Sequence, residues 1–164
     1  MITLEEFLVR AKKHGYASGE PPITLKEEPR VKAYQHSEES LEPGLEYRLD
    51  YEDKYRGYYS FFGIETVKLN DKEIWKMSYS GHMLPEHQEP DFTKQTFDFL
   101  KEALKRVRIT KPFRGPDHFQ QGEFRYFNRL EGDINFFKGT EIIFFKDKEV
   151  YRLYYVGGTI LHKS

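Results

Sequence analysis

The alternation of hydrophobic and polar residues predicts two helices, each followed by a set of strands. Hydrophobic residues recur at helical spacing near the N-terminus, where Thr3 and Glu6 also have the spacing of a capping box. The same period returns over about residues 93–107, with lysines and arginines on the opposite side. We interpret that basic side as a solvated helix face, because no other segment extends it into a larger basic patch.

Six strands are predicted from runs rich in Val, Ile, Phe, Tyr and Trp. They cover about residues 45–51, 58–69 and 73–84 after the first helix, and 122–128, 134–145 and 149–160 after the second. Asn70-Asp71-Lys72 and Lys146-Asp147-Lys148 predict turns, so that the last two strands of each set form an antiparallel hairpin. We therefore predict an α+β fold in one domain, residues 1–164, with two helices packed against an antiparallel β-sheet.

One stretch, residues 19–44, shows neither period. It holds four prolines among charged residues, and we predict a long ordered loop with one short strand at about residues 30–34. Loops of this length inside a compact domain are uncommon and are usually functional or mobile. The sequence leaves open whether this one is a lid or a mobile connection.

An internal repeat relates the two halves of the chain. Residues 57–84 align without a gap with residues 133–160 in eight identical pairs, among them Gly63/Gly139 and Glu65/Glu141. Chance would give roughly two identities, judged from ordinary amino-acid usage. A one-residue slip also aligns residues 46–48 with 123–125. We predict a tandem duplication of a helix plus three antiparallel strands, with pseudo-repeats 1–85 and 91–160.

The repeat places a carboxylate on an apolar strand face in each half. Alternation along the first hairpin puts Glu65 beside Met77 and Gly63 beside Tyr79, and Glu141 occupies the matching position in the second. Burial would raise the pKa of these carboxyl groups and prepare them for acid–base chemistry, whereas an arginine nearby would hold them ionised in a structural ion pair. Both interpretations are open at this point.

Two hypotheses for a binding site follow. If the halves pack about a pseudo-twofold axis, both glutamates face one central cleft with aromatic residues that suit a cationic or hydrogen-bond-donating ligand. The segment of residues 111–118 is either a rigid site, held by two prolines, or a turn with a salt-bridged arginine. The candidate ligand-binding residues are Glu65, Trp75, Tyr79, Arg114, His118, Glu141, Tyr151 and Tyr155.

Composition excludes several classes of protein. The 164 residues include no cysteine, which rules out disulfides, thiolate catalysis and cysteine-ligated metals. A formal charge of -1 argues against a surface that neutralises phosphates, and no apolar run approaches the ~20 residues of a membrane span. The spacing of His82 and His87 is not that of a metal-ligand pair, and no phosphate-binding loop occurs. We expect a cytoplasmic protein without metal or cofactor.

Several motifs resemble a bacterial family of unknown function, DUF5680. They are WKMSYSG (75–81), FLKEAL (99–104), RGP (114–116), FFKGTE (136–141) and GG (157–158). The resemblance implies that some relatives are fused to helix-turn-helix units of the XRE type and form the sensing half of a transcriptional regulator. It implies no catalytic residue. Because no such unit precedes the domain in this sequence, we expect no direct contact with nucleic acid.

These observations favour a domain that binds or senses a small molecule. One alternative is an enzyme that uses Glu65 or Glu141 as a general acid or base, with Arg114 or His118 nearby. Another is a protein-interaction domain with an exposed apolar patch. An unpaired edge strand would also allow a homodimer.

Overall fold

Nine antiparallel strands form one sheet in the computed structural model, which describes all residues, 1–164. The helices are α1 (Leu4–Lys13) and α2 (Pro90–Leu104), with short 3-10 turns at Tyr16–Ser18 and Pro85–His87. The strands are β1 (Ile23–Thr24), β2 (Lys32–Ser40), β3 (Tyr47–Gly57), β4 (Ser60–Leu69), β5 (Lys72–Met83), β6 (His118–Gln121), β7 (Phe124–Asp133), β8 (Phe136–Phe145) and β9 (Lys148–Thr159). Their order in the sheet is β1-β2-β3-β4-β5-β9-β8-β7-β6. The predicted α+β class with an antiparallel sheet is confirmed.

Both helices begin at side-chain caps. The capping box of α1 is confirmed, because the Thr3 hydroxyl accepts a hydrogen bond from the Glu6 N–H while the Glu6 carboxylate accepts one from the Thr3 N–H. Helix α2 begins three residues earlier than predicted and also ends earlier. Its start is set by Glu89, whose carboxylate accepts hydrogen bonds from two backbone N–H groups of the first turn. Pro90 also favours a helix start, because it has no backbone N–H that would lack a partner there.

The predicted register of the first hairpin is confirmed, although its turn is shorter than predicted. Two residues, Asn70 and Asp71, have positive φ and place Leu69 opposite Lys72. A bulge after Val67 then restores the predicted pairing, in which Glu65 lies opposite Met77. The hairpin of β8 and β9 has its bulge at the matching position, after Ile143.

The interpretation of residues 19–44 as a long loop is wrong for their second half. Strand β2 covers nine of these residues and pairs with β3 along its whole length. The sequence concealed this strand because its side chains are mostly polar and charged. Its only buried residues are Ala33 and Tyr34, and the Arg10–Glu38 ion pair, at 2.8 Å, connects it to α1. The segment is therefore part of the sheet and not a lid.

The strand sets lie in mirrored order on either side of the central pair, β5 and β9. Beyond the three strands predicted for each set, the first set also contains β1 and β2, and the second also contains β6. The pairing Leu49–Leu69 in the first set corresponds to Phe124–Phe145 in the second. Matching residues in β3 and β7 are thus 75 positions apart, and the predicted alignment of residues 46–48 with 123–125 is wrong by two.

The helices cover one face of the sheet only. Both contribute to a core of 23 buried residues, which includes Phe7 and Leu8 from α1 and Leu100 and Ala103 from α2. Alternate strand residues point into this core, and the residues between them point to the opposite, uncovered face. Neither helix has the length and apolar character needed to cross a membrane.

Two glycines allow tyrosine rings to lie directly against the backbone. A Cβ atom at Gly63 would lie 2.1 Å from Cζ of Tyr79, and one at Gly139 would lie 2.0 Å from Cζ of Tyr155.

We expect Gly63→Ala and Gly139→Ala each to lower the free energy of unfolding by roughly 1–3 kcal/mol through overpacking, as measured by urea denaturation. Gly15→Ala is the control, because its nearest contacts would be 3.5 Å away. Equal stability of Gly63→Ala and Gly15→Ala would contradict the close packing.

Candidate functional site

The two glutamates singled out in the sequence lie in the core, beneath the helices. Glu65 comes from β4 and is 2% exposed, and Glu141 comes from β8 and is fully buried. Each carboxylate therefore has to find its partners inside the protein, since an unpaired buried charge is costly. The structural interpretation, an ion pair, is the one that the geometry supports for both.

Glu141 is held by an arginine and two tyrosines. The Arg114 guanidinium donates two hydrogen bonds to it, at 2.8 and 3.0 Å, in the bidentate arrangement that makes arginine–carboxylate pairs strong. The hydroxyl groups of Tyr126 and Tyr151 donate further hydrogen bonds at 2.5 and 2.9 Å. Burial and the adjacent Glu141 carboxylate raise the pKa of both tyrosines well above the ordinary value, so they stay protonated donors.

Glu65 has an analogous set of partners. Lys12, from the last turn of α1, donates to its carboxylate at 2.6 Å, and the Tyr51 hydroxyl donates at 2.5 Å. Lys12 also donates to the carbonyl oxygen of Phe113, at 2.6 Å. Burial lowers the pKa of Lys12, and the negative charge of Glu65 opposes that effect. The ion pair thus attaches α1 to the sheet.

A third buried acid, Asp53, lies on β3, directly opposite Glu65 of β4. One of its oxygens accepts a hydrogen bond of 2.5 Å from the Tyr79 hydroxyl. Burial raises its pKa to about 7, and repulsion from Glu65 acts in the same direction. The matching residue in the other strand set is the neutral Asn128, which accepts a hydrogen bond of 2.7 Å from Tyr155.

Three polar residues of this layer, Asp53, Asn128 and Lys12, are not among the residues that the sequence pattern singles out. Asp53 was lost because the predicted strand ended at residue 51, whereas β3 continues to Gly57. Alternation beyond residue 51 would have placed Asp53 on the same face as Tyr51. Nothing in the sequence pairs Lys12 with Glu65, since the two are 53 residues apart.

The predicted site residues do not line a common cleft. Seven of them, Glu65, Trp75, Tyr79, Arg114, Glu141, Tyr151 and Tyr155, are buried in the layer between sheet and helices. His118 is exposed on the edge strand β6, where its ring packs against Phe127. A chamber of about 30 Å³ beside Glu65, Asp53 and Arg114 has room for about one water molecule. A role of these residues in ligand binding stays a prediction.

The space that would fit a ligand lies on the opposite face of the sheet. A concave region with a volume of about 1350 Å³, here called the trough, crosses β2, β3, β4, β5, β9, β8 and β7. Its floor is formed by alternate residues of the four central strands, and no residue of either helix lines it. Of the eight predicted site residues, Tyr79 and Tyr155 border it. The floor residues are Phe62, Ile64, Ser78, Ser80, Thr140, Tyr154 and Val156.

The floor of the trough is unusually apolar for an exposed sheet face. Phe62, Ile64, Tyr154 and Val156 are 46–60% exposed and lie close together. Charged residues surround them, many in ion pairs such as Lys76–Glu73, at 3.1 Å. A buried polar layer on one side of the sheet and an open amphipathic surface on the other are the two features that could serve a function.

The Glu141–Arg114 ion pair yields a stability prediction. Glu141→Gln leaves the buried guanidinium without a countercharge, and we expect it to lower the free energy of unfolding by about 3–5 kcal/mol in denaturant titrations. Asp147→Asn is the control, because the Asp147 side chain is 98% exposed and pairs with Arg125 at the surface. We expect this variant to change the free energy of unfolding by less than ~0.5 kcal/mol. If Glu141→Gln does not fold, Arg114→Met/Glu141→Leu should restore folding by removing both charges. Equal effects of Glu141→Gln and Asp147→Asn would contradict the prediction.

The raised pKa of Asp53 makes stability depend on pH. The folded protein keeps this proton to about pH 7, whereas the unfolded chain releases it near pH 4, so the folded state binds more protons between these values. Stability therefore falls as pH rises through this window, by up to ~1.4 kcal/mol per pH unit. We expect Asp53→Asn to flatten this dependence and to be more stable than the original protein at pH 8.

Thermal unfolding of Asp53→Asn and of the original protein, followed from pH 4 to 8, measures the difference. Asp50→Asn is the matched control, because Asp50 lies on the same strand and faces the trough. Parallel curves for Asp53→Asn and the original protein would overturn the assignment of a protonated, buried aspartic acid.

Comparison with known proteins places the chain in a family. No curated protein and no solved structure matches it. The family model described as "Domain of unknown function (DUF5680)" matches residues 53–160 of the 164. The matched range begins at Asp53 and contains both buried glutamates, Arg114 and the entire floor of the trough. The resemblance found in the motifs is confirmed, and the chain belongs to the DUF5680 family.

Proposed function

We propose that the protein is a small-molecule-binding, sensory domain and that its ligand lies in the trough. The observation that carries this proposal is the volume of about 1350 Å³ on a sheet face without a covering helix. Ligand sites in proteins are concave, mostly apolar and several hundred cubic ångströms in size, with a few polar groups that orient the ligand. The trough is concave and larger than such a site, and it has an apolar floor within a polar and charged surround. The chamber beside Glu65 has room for about one water molecule.

The composition of the trough floor supports a ligand that is partly apolar. Ile64 and Val156 both lie next to Ser78 across the central strands, and Phe62 and Tyr154 both lie next to Ser80. Apolar side chains and hydroxyl groups therefore alternate across the floor. Clustered exposed apolar side chains on a soluble domain commonly mark a binding surface.

The rigidity of the sheet also supports this proposal. The opposite side of the same strands carries the Glu65 and Glu141 networks, which fix the central strands through buried hydrogen bonds. A floor held in this way is formed before a ligand arrives, so binding loses little entropy from ordering the site. In this proposal most predicted residues of the buried layer support the binding surface from behind, and only Tyr79 and Tyr155 also border the trough.

We further propose that the fold arose by tandem duplication of a helix and its strands. Supporting this idea, Tyr51 and Tyr126 occupy matching positions and each donates a 2.5 Å hydrogen bond to the glutamate of its own half. Gly57 and Gly132 also match, with φ of 98° and 94°. The central strands β5 and β9 would then be the seam between the copies.

The alternatives from the sequence have less support. The carboxylates of Glu65 and Glu141 already accept hydrogen bonds from a lysine or arginine and from tyrosines, and neither lines the trough. A catalytic role would therefore require the core to open. A protein-interaction domain or a homodimer would cover the apolar floor with another chain. The measurements below separate these possibilities.

Thermal-shift screening against a metabolite panel tests the proposal. A ligand at 100 times its dissociation constant stabilises the native state by about 2.7 kcal/mol, which is readily detected. We expect Ile64→Asn and Val156→Asn to abolish the shift, since both remove apolar contacts from the floor. Ile109→Asn is the control, because Ile109 lies outside the trough and is 53% exposed, close to the 46% of Ile64. This variant should keep the shift.

Two results would overturn the proposal. One is a shift that persists unchanged in both floor variants, since the ligand would then bind elsewhere. The other is a stable dimer in light scattering that dissociates in Val156→Asn but not in Ile109→Asn, since the trough would then be a protein interface.

A further inference from the structure

We infer that the trough selects an amphipathic anion: a molecule with an apolar body and a carboxylate, sulfonate or phosphate group. This inference rests on the proposed function and names the chemical class of the ligand. It comes from one row of residues across the sheet and from the charges at the ends of that row.

The row runs across six neighbouring strands. Strand pairing joins Arg56 to Phe62, Phe62 to Ser80, and Ser80 to Tyr154. It continues from Tyr154 to Thr140 and ends at Arg129. All six residues line the trough, so one transverse line carries two exposed aromatic rings, two hydroxyl-bearing residues between and beside them, and an arginine at each end.

The two arginines lack carboxylate partners. Most other cations of the trough form ion pairs, including Lys54–Glu52 at 3.5 Å and Lys138–Glu131 at 3.5 Å. No acidic group lies within ion-pair distance of Arg56 or Arg129, and both are exposed. The ends of the aromatic row therefore carry uncompensated positive charge.

A guanidinium group next to an apolar floor favours an anion attached to an apolar body. Arginine presents a planar set of donors that matches carboxylate, sulfonate and phosphate oxygens. The apolar body of the ligand would cover Phe62 or Tyr154, and its polar groups would meet the hydroxyls of Ser80 and Thr140. A cationic ligand would instead meet repulsion at both ends of the row.

The separation of the two arginines indicates two anchoring positions. Five strand spacings of about 4.8 Å separate their Cα atoms along the sheet, which exceeds the reach of one carboxylate. A ligand with one charge would use either arginine, and a ligand charged at both ends would use both. The concave shape admits free amphiphiles and keeps the floor away from a flat bilayer surface.

Two fluorescent probes with the same apolar body test the charge preference. 8-Anilinonaphthalene-1-sulfonate is anionic, and N-phenyl-1-naphthylamine is its counterpart without the sulfonate. We expect the double variant Arg56→Gln/Arg129→Gln to weaken sulfonate binding about tenfold or more, the effect of losing one charged hydrogen bond. The neutral probe should change less than about twofold on the same scale.

Controls assign the effect to the trough. Arg108→Gln removes an exposed arginine without an ion pair outside the trough and should leave both dissociation constants unchanged. Ile64→Asn should weaken both probes, because it changes the floor that their shared body contacts. Unchanged thermal unfolding of each variant without probe shows that the fold is intact.

The outcomes separate this inference from the proposed function. If both probes weaken equally in the arginine variant, or neither does, while Ile64→Asn weakens both, the anion preference is overturned and the trough remains a binding site. If Ile64→Asn affects neither probe, the probes do not bind in the trough, and both the inference and the proposed site fail. Binding to phosphatidylglycerol vesicles without binding of the free sulfonate probe would also overturn the inference.

Discussion

Burial of two carboxylates in an aromatic core is the constraint on which the rest of the structure depends. Glu65 and Glu141 lie where water cannot solvate them, so each needs a cation and hydroxyl donors from the protein. The cations come from outside the sheet, Lys12 from α1 and Arg114 from the segment after α2. The helical layer is therefore attached to the sheet by charge as well as by apolar packing. The same contacts fill that face, which leaves the other face as the surface available for binding.

The two strand sets surround their buried glutamate with different partner residues. Asp53 on one side matches Asn128 on the other, and the lysine of the first network is replaced by an arginine in the second. With Asp53 protonated, each glutamate is balanced by one cation, and the layer carries no net charge. Trp75 matches Tyr151 but does not replace its hydrogen bond, since the Trp75 indole nitrogen has no partner. The other half also has one buried side-chain group without a hydrogen-bond partner, the Thr93 hydroxyl of α2.

The two faces of the sheet differ in composition and in exposure to solvent. One face holds the helices and an ion-paired, tyrosine-rich layer with room for about one water molecule. The other is an open trough with an apolar floor, crossed by a row of residues that has an arginine at each end. Because successive strand residues point to opposite faces, every central strand serves both purposes at once. Gly63 and Gly139, against which tyrosine rings pack, show how closely the two faces constrain each other.

The two helices, the two hairpins and the register that puts Glu65 opposite Met77 were predictable from the sequence, because they depend on local period and turn residues. The sequence also placed Glu65 and Glu141 on apolar strand faces, which are buried in the structure. It missed β2, whose polar residues gain their stability from pairing with β3, and it missed Lys12 and Asp53 as partners of Glu65. The sheet face that the helices cover was not predictable, and this choice encloses the glutamates and leaves the trough open. Both faces contain aromatic residues, and the choice between them rests on contacts between residues far apart in the chain, which alternation along one strand does not encode.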